Sequence, residues 1–273
     1  MSVNFLIKVL NIIFRLFGSK KAVVIASTVA EKMIPIVDIN TEYGEINFYS
    51  LGGIPAWRAH TLLTKEPETI DWINKMNNND VFWDIGANVG VYSLYAAKKG
   101  LLVNSFEPSS ANYFLLNKNI EINHLSKSIS AFCFAFNDKV LLNSFNMSNT
   151  EFGSAHSTFS ENIDQYGNNF TPIFKQGMIG FDIDGFINQF SPKFPNHIKI
   201  DVDGIEDKII NGAKKTLNDK RLKSLLVELD LTRPEYCKEM IESIEKCGLI
   251  GGDVKFNFLP KLRGVIICFI IEI

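Results

Sequence analysis

Two acidic segments of the sequence carry residue types that could bind a cofactor or move a proton. The first, residues 84–90, reads Asp-Ile-Gly-Ala-Asn-Val-Gly and follows a short apolar run. Gly86 permits a tight turn with close backbone approach, and Gly90 lets a following helix pack near the strand. The first amides of that helix point toward a bound ligand. We therefore predict a nucleotide-type cofactor beside Asp84, Gly86, Ala87, Asn88 and Gly90.

The residue at position 88 distinguishes between two cofactors. The fingerprint of NAD-binding proteins is G-x-G-x-x-G, in which the middle glycine lets the backbone approach a pyrophosphate. Asn88 occupies that middle position here. S-adenosylmethionine (SAM) has no pyrophosphate, so the larger side chain costs a SAM site little. We predict SAM as the cofactor, with a turn that uses its glycines for geometry alone as the alternative.

Further cofactor contacts are predicted where the next two apolar runs end. Glu107 follows Gly90 by seventeen residues, and a carboxylate there can accept hydrogen bonds from ribose hydroxyls. Pro108 is expected to flank the adenine. The third apolar run should supply an adenine contact from Phe136, Asn137 or Asp138, where an acidic or amide side chain could accept a hydrogen bond from the exocyclic amine.

The second acidic segment, residues 199–206, reads Lys-Ile-Asp-Val-Asp-Gly-Ile-Glu. Asp201, Asp203 and Glu206 should gather at the carboxyl edge of the sheet. Methyl transfer to a hydroxyl benefits from a base, and like-charged neighbours raise the pKa of a carboxylate. We predict Asp201 and Asp203 as catalytic residues and assign no metal ligand. A turn role for Asp203, a helix-start role for Glu206 and a divalent cation in the cluster remain open.

Alternating strands and helices position these residues. Strands are predicted over 81–85, 101–106, 129–136, 197–201 and 224–229, and helices over 89–99, 111–122, 186–190, 206–217 and 234–247. Two more strands, 253–259 and 264–273, should pair antiparallel across a short turn. The pattern predicts an α/β fold, namely the Rossmann-like class I methyltransferase sheet of seven mostly parallel strands with an antiparallel C-terminal hairpin.

Three regions follow from this pattern. Residues 1–40 are predicted to form an N-terminal helical extension, and 41–79 a lead-in strand and a helix that begins at Pro67. Residues 80–273 form the predicted catalytic domain. The alternation breaks near 138–180, where we expect an inserted hairpin or loop layer.

The helix predicted over residues 3–17 is mostly apolar. Asn4, Lys8, Asn11 and Arg15 form one narrow polar stripe along it. The run is too short and too charged to span a bilayer. Two interpretations remain open: a helix packed on the domain or in a homodimer interface, and a peripheral anchor on the inner membrane surface.

Composition narrows the class of protein. The net charge of -2 and the scattered lysines and arginines give no electrostatic case for a nucleic-acid partner. The four cysteines form no CxxC pair and no metal-ligand spacing, as in a cytoplasmic protein with reduced thiols.

The sequence resembles the FkbM-type methyltransferases over roughly residues 41–250. The resemblance rests on residues 83–93, Trp-Asp-Ile-Gly-Ala-Asn-Val-Gly-Val-Tyr-Ser, on Phe-Glu-Pro at 106–108 and on Ile-Lys-Ile-Asp-Val-Asp-Gly-Ile-Glu at 198–206. The lead-in segments 57–59 and 64–69 also belong to it. It implies a SAM-dependent O-methyltransferase, commonly of a sugar hydroxyl in a glycan, glycolipid or natural product. Asp203 departs from the family pattern, which has glutamate there.

The resemblance also suggests roles outside the two acidic segments. It implies that Arg58 and Glu66 help close the substrate site, with Glu206 beside them, and that Asp182 and Asp184 stand at a helix start. A structural ion pair is an equal alternative for Arg58. We expect methylation of a glycan or glycolipid intermediate at the cytoplasmic membrane face. The alternatives are a methyltransferase of another small molecule and a SAM-fold protein that binds without catalysis.

Overall fold

The computed structural model describes residues 3–164, 166–229, 232–249 and 265–270. The first elements are α1 (Val3–Arg15), α2 (Ser19–Lys32), the antiparallel strands β1 (Ile36–Thr41) and β2 (Gly44–Tyr49), α3 (Gly53–His60) and α4 (Pro67–Lys75). The predicted first helix is present, but the helical extension ends at Lys32 rather than 40. Pro35 disfavours helix in the residue before it, and the branched side chains that follow favour a strand.

The remaining elements alternate as the sequence pattern predicts. In chain order they are β3 (Val81–Ile85), α5 (Val91–Lys99), β4 (Leu102–Phe106), α6 (Ser110–Ile122), β5 (Ile129–Phe132), β6 (Ala135–Phe136), β7 (Leu141–Met147), β8 (Ser157–Phe159), β9 (Phe174–Phe181), α7 (Ile183–Phe190), β10 (His197–Ile200), α8 (Glu206–Asn211), α9 (Lys214–Leu217), β11 (Ser224–Leu229), α10 (Pro234–Glu245) and β12 (Val265–Ile270). No helix in these ranges combines the length and the apolar character that a bilayer crossing needs.

The central sheet has the order β12-β11-β10-β3-β4-β5. Five of these strands run parallel, and β12 pairs antiparallel with β11. The mostly parallel sheet is therefore confirmed, while the predicted strand over 253–259 lies outside the described residues. The chain moves outward from β3 to β5 and then returns to β10 on the other side of β3. This reversal opens a crevice at the carboxyl ends of β3 and β10.

Apolar packing on both faces of the sheet fixes the strand ends. One face carries a cluster rich in aromatic rings, in which Trp83, Phe106, Phe136 and Phe186 contact one another at centroid distances of 4.7–6.1 Å. The other face packs against α5 and α6. Burial of each large apolar side chain stabilises the fold by about 1.5–3 kcal/mol. The polar residues that follow β3, β4 and β10 are thus held on a rigid frame.

The insertion after β5 forms a second sheet with the order β6-β9-β7-β8. It corrects the prediction of one strand over 129–136. Ala135 and Phe136 leave the central sheet and pair with Gly180 and Phe181 of β9, so the chain breaks its strand at residues 133–134. The hairpin or loop layer that we expected near 138–180 consists of the antiparallel strands β7, β8 and β9, with β7 between the other two.

Three helix boundaries differ from the predictions for local reasons. The helix α5 begins at Val91 rather than 89, because Gly90 adopts a left-handed conformation with φ 87°. The helix predicted over 206–217 divides into α8 and α9 at Gly212, where a Cβ atom would lie 2.3 Å from the carbonyl oxygen of Asn137. The helix α7 begins before 186, since Asp182 caps it by accepting the Gly185 N–H at 2.6 Å.

Candidate active site

The turn between β3 and α5 brings the two acidic segments together. Gly86 has φ 86°, and a Cβ atom there would lie 1.9 Å from the carbonyl oxygen of Asp201. The close approach that we predicted at Gly86 is therefore to the backbone after β10. Gly90 does not line the main cavity that is described below. A Cβ atom there would lie 2.5 Å from Leu116, so the lack of a side chain at Gly90 lets α6 pack closely against the start of α5.

Asp84 is buried at the end of β3. The Ser93 hydroxyl donates to its Oδ2 at 2.5 Å, and Ser105 and Ser93 share a hydrogen bond of 2.7 Å. Burial raises the pKa of Asp84, although the nearby Lys199 ammonium and the Ser93 hydroxyl oppose that shift. Asp84 and Ala87 both line a small pocket that adjoins the main cavity.

Glu107 is buried at the end of β4, where backbone amides hold its carboxylate. The N–H of Asn88 donates to Oε2 at 2.7 Å, and the N–H of Ser109 donates to Oε1 at 2.8 Å. Burial raises the pKa of Glu107 to about 7, although these hydrogen bonds and the Arg58 charge act against the rise. The carboxylate is thus fixed in position on the wall of the main cavity.

The main cavity has a volume of about 380 Å³ and lies over the carboxyl ends of β3, β4 and β10. Its wall includes Trp57, Arg58, Lys65, Glu66, Gly86, Asn88, Glu107, Pro108, Phe134, Phe136, Asp201, Asp203, Glu206, Glu228 and Tyr236. The volume is within the range of small-molecule and cofactor sites. Residues from both acidic segments, 84–90 and 199–206, therefore line one cavity.

The insertion covers one side of this cavity and is hydrogen-bonded to the turn after β3 and to α6. The side-chain amides of Asn88 and Asn112 donate to the Ser154 carbonyl at 3.0 and 3.1 Å. Arg58 donates from Nε to the Gly153 carbonyl at 2.7 Å. Arg58 thus reaches the cavity as predicted, and its contact holds the insertion rather than forming an ion pair.

Five charged side chains meet at the end of β10 and form a charged cluster: Lys65, Glu66, Lys199, Asp201 and Glu228. Lys199 donates to Asp201, and Lys65 donates to Glu66 at 2.5 Å. Glu228, on β11, shares a hydrogen bond with Asp201. The Lys199 side chain is only 1% exposed, whereas the Asp201 side chain is 31% exposed and faces the cavity.

Opposite pKa shifts distinguish the two carboxyl groups that share this hydrogen bond. Burial favours the neutral form of Asp201, but the Lys199 and Lys65 charges outweigh burial and hold its pKa well below the usual range. Burial and the charges of Asp201 and Glu66 raise the pKa of Glu228 well above its usual value. The proton of the pair therefore stays on Glu228, which donates it to the Asp201 carboxylate.

The carboxyl oxygens of Glu66, Asp201 and Glu228 lie within 4.8 Å of one another. Such a group could hold a divalent cation. Here the ammonium groups of Lys65 and Lys199 already supply positive charge to Glu66 and Asp201. These contacts favour an ion-pair network at this position.

Asp203 and Glu206 line the cavity but have other partners. The backbone N–H groups of His156 and Ser157 donate to Asp203 Oδ2 at 2.6 and 3.2 Å. The Tyr236 hydroxyl donates to Glu206 Oε2 at 2.7 Å, and burial raises the pKa of Glu206 to about 7. Asp203 therefore ties the insertion to the loop after β10 through its Oδ2 atom.

Asn137 and Asp138 are not part of the described cavity wall, so the predicted adenine contact is corrected. The Asn137 amide nitrogen donates to the Ser160 hydroxyl at 3.4 Å, and its backbone N–H donates to the Phe181 carbonyl at 2.8 Å. These residues follow β6, which has left the central sheet. Phe136, the third candidate for the adenine contact, does line the cavity, and so does Phe134.

Sequence reasoning assigned no role to Lys65, Lys199, Glu228 or Tyr236. A signal existed for two of them, because Lys199 and Glu228 are the charged residues within the apolar strands β10 and β11. A charge inside a buried parallel strand requires a partner. Lys65 and Tyr236 reach the cavity only through the packing of α3 and α10, for which the sequence pattern gave no signal.

A cofactor-type turn at the switch point of a mostly parallel sheet defines a Rossmann-like α/β protein. The model of the FkbM methyltransferase domain matches residues 84–250, which is more than half of the chain. The chain belongs to this family. It is therefore a SAM-dependent methyltransferase, as the sequence predicts.

Several solved structures of methyltransferases are similar at low identity. The METTL16 methyltransferase domain is 13% identical, with 86% of this chain and 87% of that chain covered and a TM-score of 0.48. Precorrin-6y C5,15-methyltransferase from Geobacter metallireducens GS-15 is 13% identical, with 77% and 90% covered and a TM-score of 0.44. TrmK of M. capricolum, bound to S-adenosyl-homocysteine, is 8% identical, with 75% and 68% covered and a TM-score of 0.42. A comparison with curated proteins gave no significant match.

The residues at the turn fit SAM. Among the described residues, the Asn88 side-chain oxygen is buried and has no hydrogen-bond partner, although its backbone lies beside Glu107. A buried acceptor of this kind is normally satisfied, and a bound ligand can satisfy it. The Glu107 carboxylate suits ribose hydroxyls, and Pro108 and Phe134 give the cavity an apolar side.

Proposed function

We propose that this protein is an O-methyltransferase that methylates a sugar hydroxyl in a glycan, glycolipid or natural product. The observation that carries the proposal is the Asp201 carboxylate, which faces the cavity beside Gly86 and accepts a hydrogen bond from Glu228. A hydroxyl acceptor needs a group that orients it and takes its proton.

The rest of the cavity supports a polyhydroxylated acceptor. Lys65 and Glu66 offer a donor and an acceptor near Asp201, and both line the cavity. Trp57 is 46% exposed and lines the same cavity, as does Tyr166. Aromatic faces beside charged hydrogen-bonding groups suit a sugar ring, which has both apolar C–H faces and polar hydroxyls.

The residues of the chain have separate tasks in this mechanism. Glu107, Asn88 and the turn at Gly86 would hold SAM, which would supply a methyl group on a positively charged sulfur. Asp201 accepts the hydrogen bond of the acceptor hydroxyl and takes its proton as the oxygen is methylated. Glu228 donates to Asp201 throughout and thereby orients its carboxylate. Lys199 keeps Asp201 ionised before the reaction.

The test is methyl transfer from labelled SAM to a panel of nucleotide sugars and glycolipid extracts, with mass-spectrometric location of the new methyl group. We expect a product methylated on oxygen. Asp201→Asn should lower turnover about 100-fold or more, the usual contribution of a positioned base. Asp38→Asn, at an exposed position of β1, serves as the matched control. Undiminished turnover by Asp201→Asn excludes Asp201 as the base, and methylation on nitrogen or carbon refutes the O-methyl proposal.

A second pair of variants tests the role of Glu228. Gln keeps a donor toward Asp201, so Glu228→Gln should retain turnover within a few-fold of wild type. Glu228→Ala removes the donor and should therefore lose turnover. Loss of turnover in Glu228→Gln to the level of Glu228→Ala assigns the base to Glu228 instead.

A further inference from the structure

The helices α1 and α2 expose an unusual amount of apolar surface. Leu6, Leu10 and Ile13 lie along one side of α1 and are 36–44% exposed. Leu16 and Phe17, which directly follow α1, are 80% and 56% exposed. The main contact of α1 within the described residues is with α2. The interpretation that α1 packs on the catalytic domain therefore finds no support in the structure.

The apolar arc of α1 is wider than a single helix contact covers. At 3.6 residues per turn, the polar stripe formed by Asn4, Lys8, Asn11 and Arg15 occupies roughly 60° of the circumference, and apolar residues occupy the rest. A core-facing stripe needs little more than about 100°. Contact with one further helix would leave apolar residues of α1 in water, whereas insertion into a lipid surface buries the whole arc.

The charge of residues 3–32 indicates which kind of surface α1 and α2 would bind. Residues 3–32 contain five basic residues and one acidic residue, whereas the whole chain has 28 basic and 30 acidic residues. Lys8 and Arg15 lie on the polar stripe, and Lys20 and Lys21 begin α2. A basic amphipathic segment on a net acidic protein is drawn to an anionic surface, while the remainder of the chain is repelled from it.

We propose that α1 and α2 bind an anionic lipid surface, with the apolar arc of α1 inserted at the level of the headgroups. The basic stripe stays in water and contacts the lipid phosphates. This inference does not rest on the identity of the methyl acceptor. It makes the catalytic domain a peripheral membrane protein.

The test is flotation of the full chain with vesicles. We expect the protein to float with equal parts of phosphatidylglycerol and phosphatidylcholine, and to stay unbound with phosphatidylcholine alone. Raising the salt from about 0.1 M to about 1 M shortens the screening length from about 10 Å to about 3 Å and should release it. Equal binding to both vesicle types, or binding to neither, overturns the proposal.

Two double variants separate the charge from the apolar arc. Lys8→Glu with Arg15→Glu should lower vesicle binding at least about 25-fold, taking about fivefold for each basic residue lost. Lys139→Glu with Lys175→Glu changes the same number of exposed basic residues outside α1 and α2 and should bind as wild type. Equal losses from both double variants overturn the assignment to α1.

The apolar test uses Leu10→Ser with Ile13→Ser, matched to Leu142→Ser at an 84% exposed position of β7. Only the double variant at Leu10 and Ile13 should abolish flotation. Both this variant and Leu142→Ser should still bind S-adenosylhomocysteine, which shows that they are folded. Sedimentation tests the rival interpretation of a homodimer. A dimer that the Leu10 and Ile13 changes convert to monomer, without vesicle binding by wild type, assigns the apolar arc to a second copy and overturns the proposal.

Discussion

Lys199→Met is the most informative change to the charged cluster. The lysine is 1% exposed on β10, donates to Asp201 and lies 5.0 Å from the centre of the Tyr92 ring. Its charge also acts on Asp84 and Glu66, so its removal takes a cation away from three carboxylates, of which Asp201 and Glu66 keep the charge of Lys65. Removing one partner of a buried ion pair lowers the free energy of unfolding by about 3–5 kcal/mol, because the other charge stays buried without compensation. Lys208→Met breaks a lysine–carboxylate pair that is 28% and 39% exposed, and should cost only about 0–1 kcal/mol.

The assay is urea unfolding of both variants at pH 8 and pH 5. Lys199 holds the pKa of Asp201 below its usual value of 3.8, so in the wild type this stabilisation is present at both pH 8 and pH 5 and is lost only as the pH falls below that value. Without Lys199, the carboxylates can lower their cost by taking up protons. The Lys199→Met penalty should therefore be larger at pH 8 than at pH 5. A penalty near that of Lys208→Met, or one independent of pH, would refute the proposed electrostatic network.

Three further predictions concern Glu107 and Gly86, which we assign to the cofactor site. Glu107→Ala should weaken S-adenosylhomocysteine binding about 10- to 100-fold in calorimetric titration, since hydrogen bonds to a charged group contribute about 1.5–3 kcal/mol; unchanged affinity would exclude the ribose contact. Because burial raises the Glu107 pKa to about 7, the affinity should rise between pH 6 and pH 8 as the carboxylate ionises, and a flat profile would contradict this. The same raised pKa stabilises the unliganded protein below pH 4.5, and this contribution is lost as the pH rises through 7. Gly86→Ala should prevent folding or cofactor binding because of the 1.9 Å contact, whereas Gly53→Ala, with open space around it, should have little effect.

The sequence was informative where local pattern and position in the sheet agree. Asp84 lies near the end of its strand, Glu107 and Asp201 directly follow theirs, and parallel strands bring their ends to one edge. The glycines at 86 and 90 were predicted from turn geometry, and both have positive φ. The α/β alternation was long and regular enough to predict the fold class.

The predictions failed where long-range packing decided the outcome. Asn137 and Asp138 were expected at the cavity because a strand over 129–136 would end beside it. The insertion instead pairs Phe136 with Phe181, and this redirects the chain. The lowered pKa of Asp201 also differs from the expected rise, because Lys199, two residues earlier, and Lys65, more than a hundred residues earlier, both place positive charge beside it.

A crystal structure of the protein with S-adenosylhomocysteine at pH 8 tests the central claim most directly. We expect the ligand in the cavity of about 380 Å³, with its ribose on Glu107 and its sulfur on the side of Asp201. Ligand density elsewhere, or no binding at near-millimolar concentration, would contradict the assignment of this cavity as the methyl-transfer site.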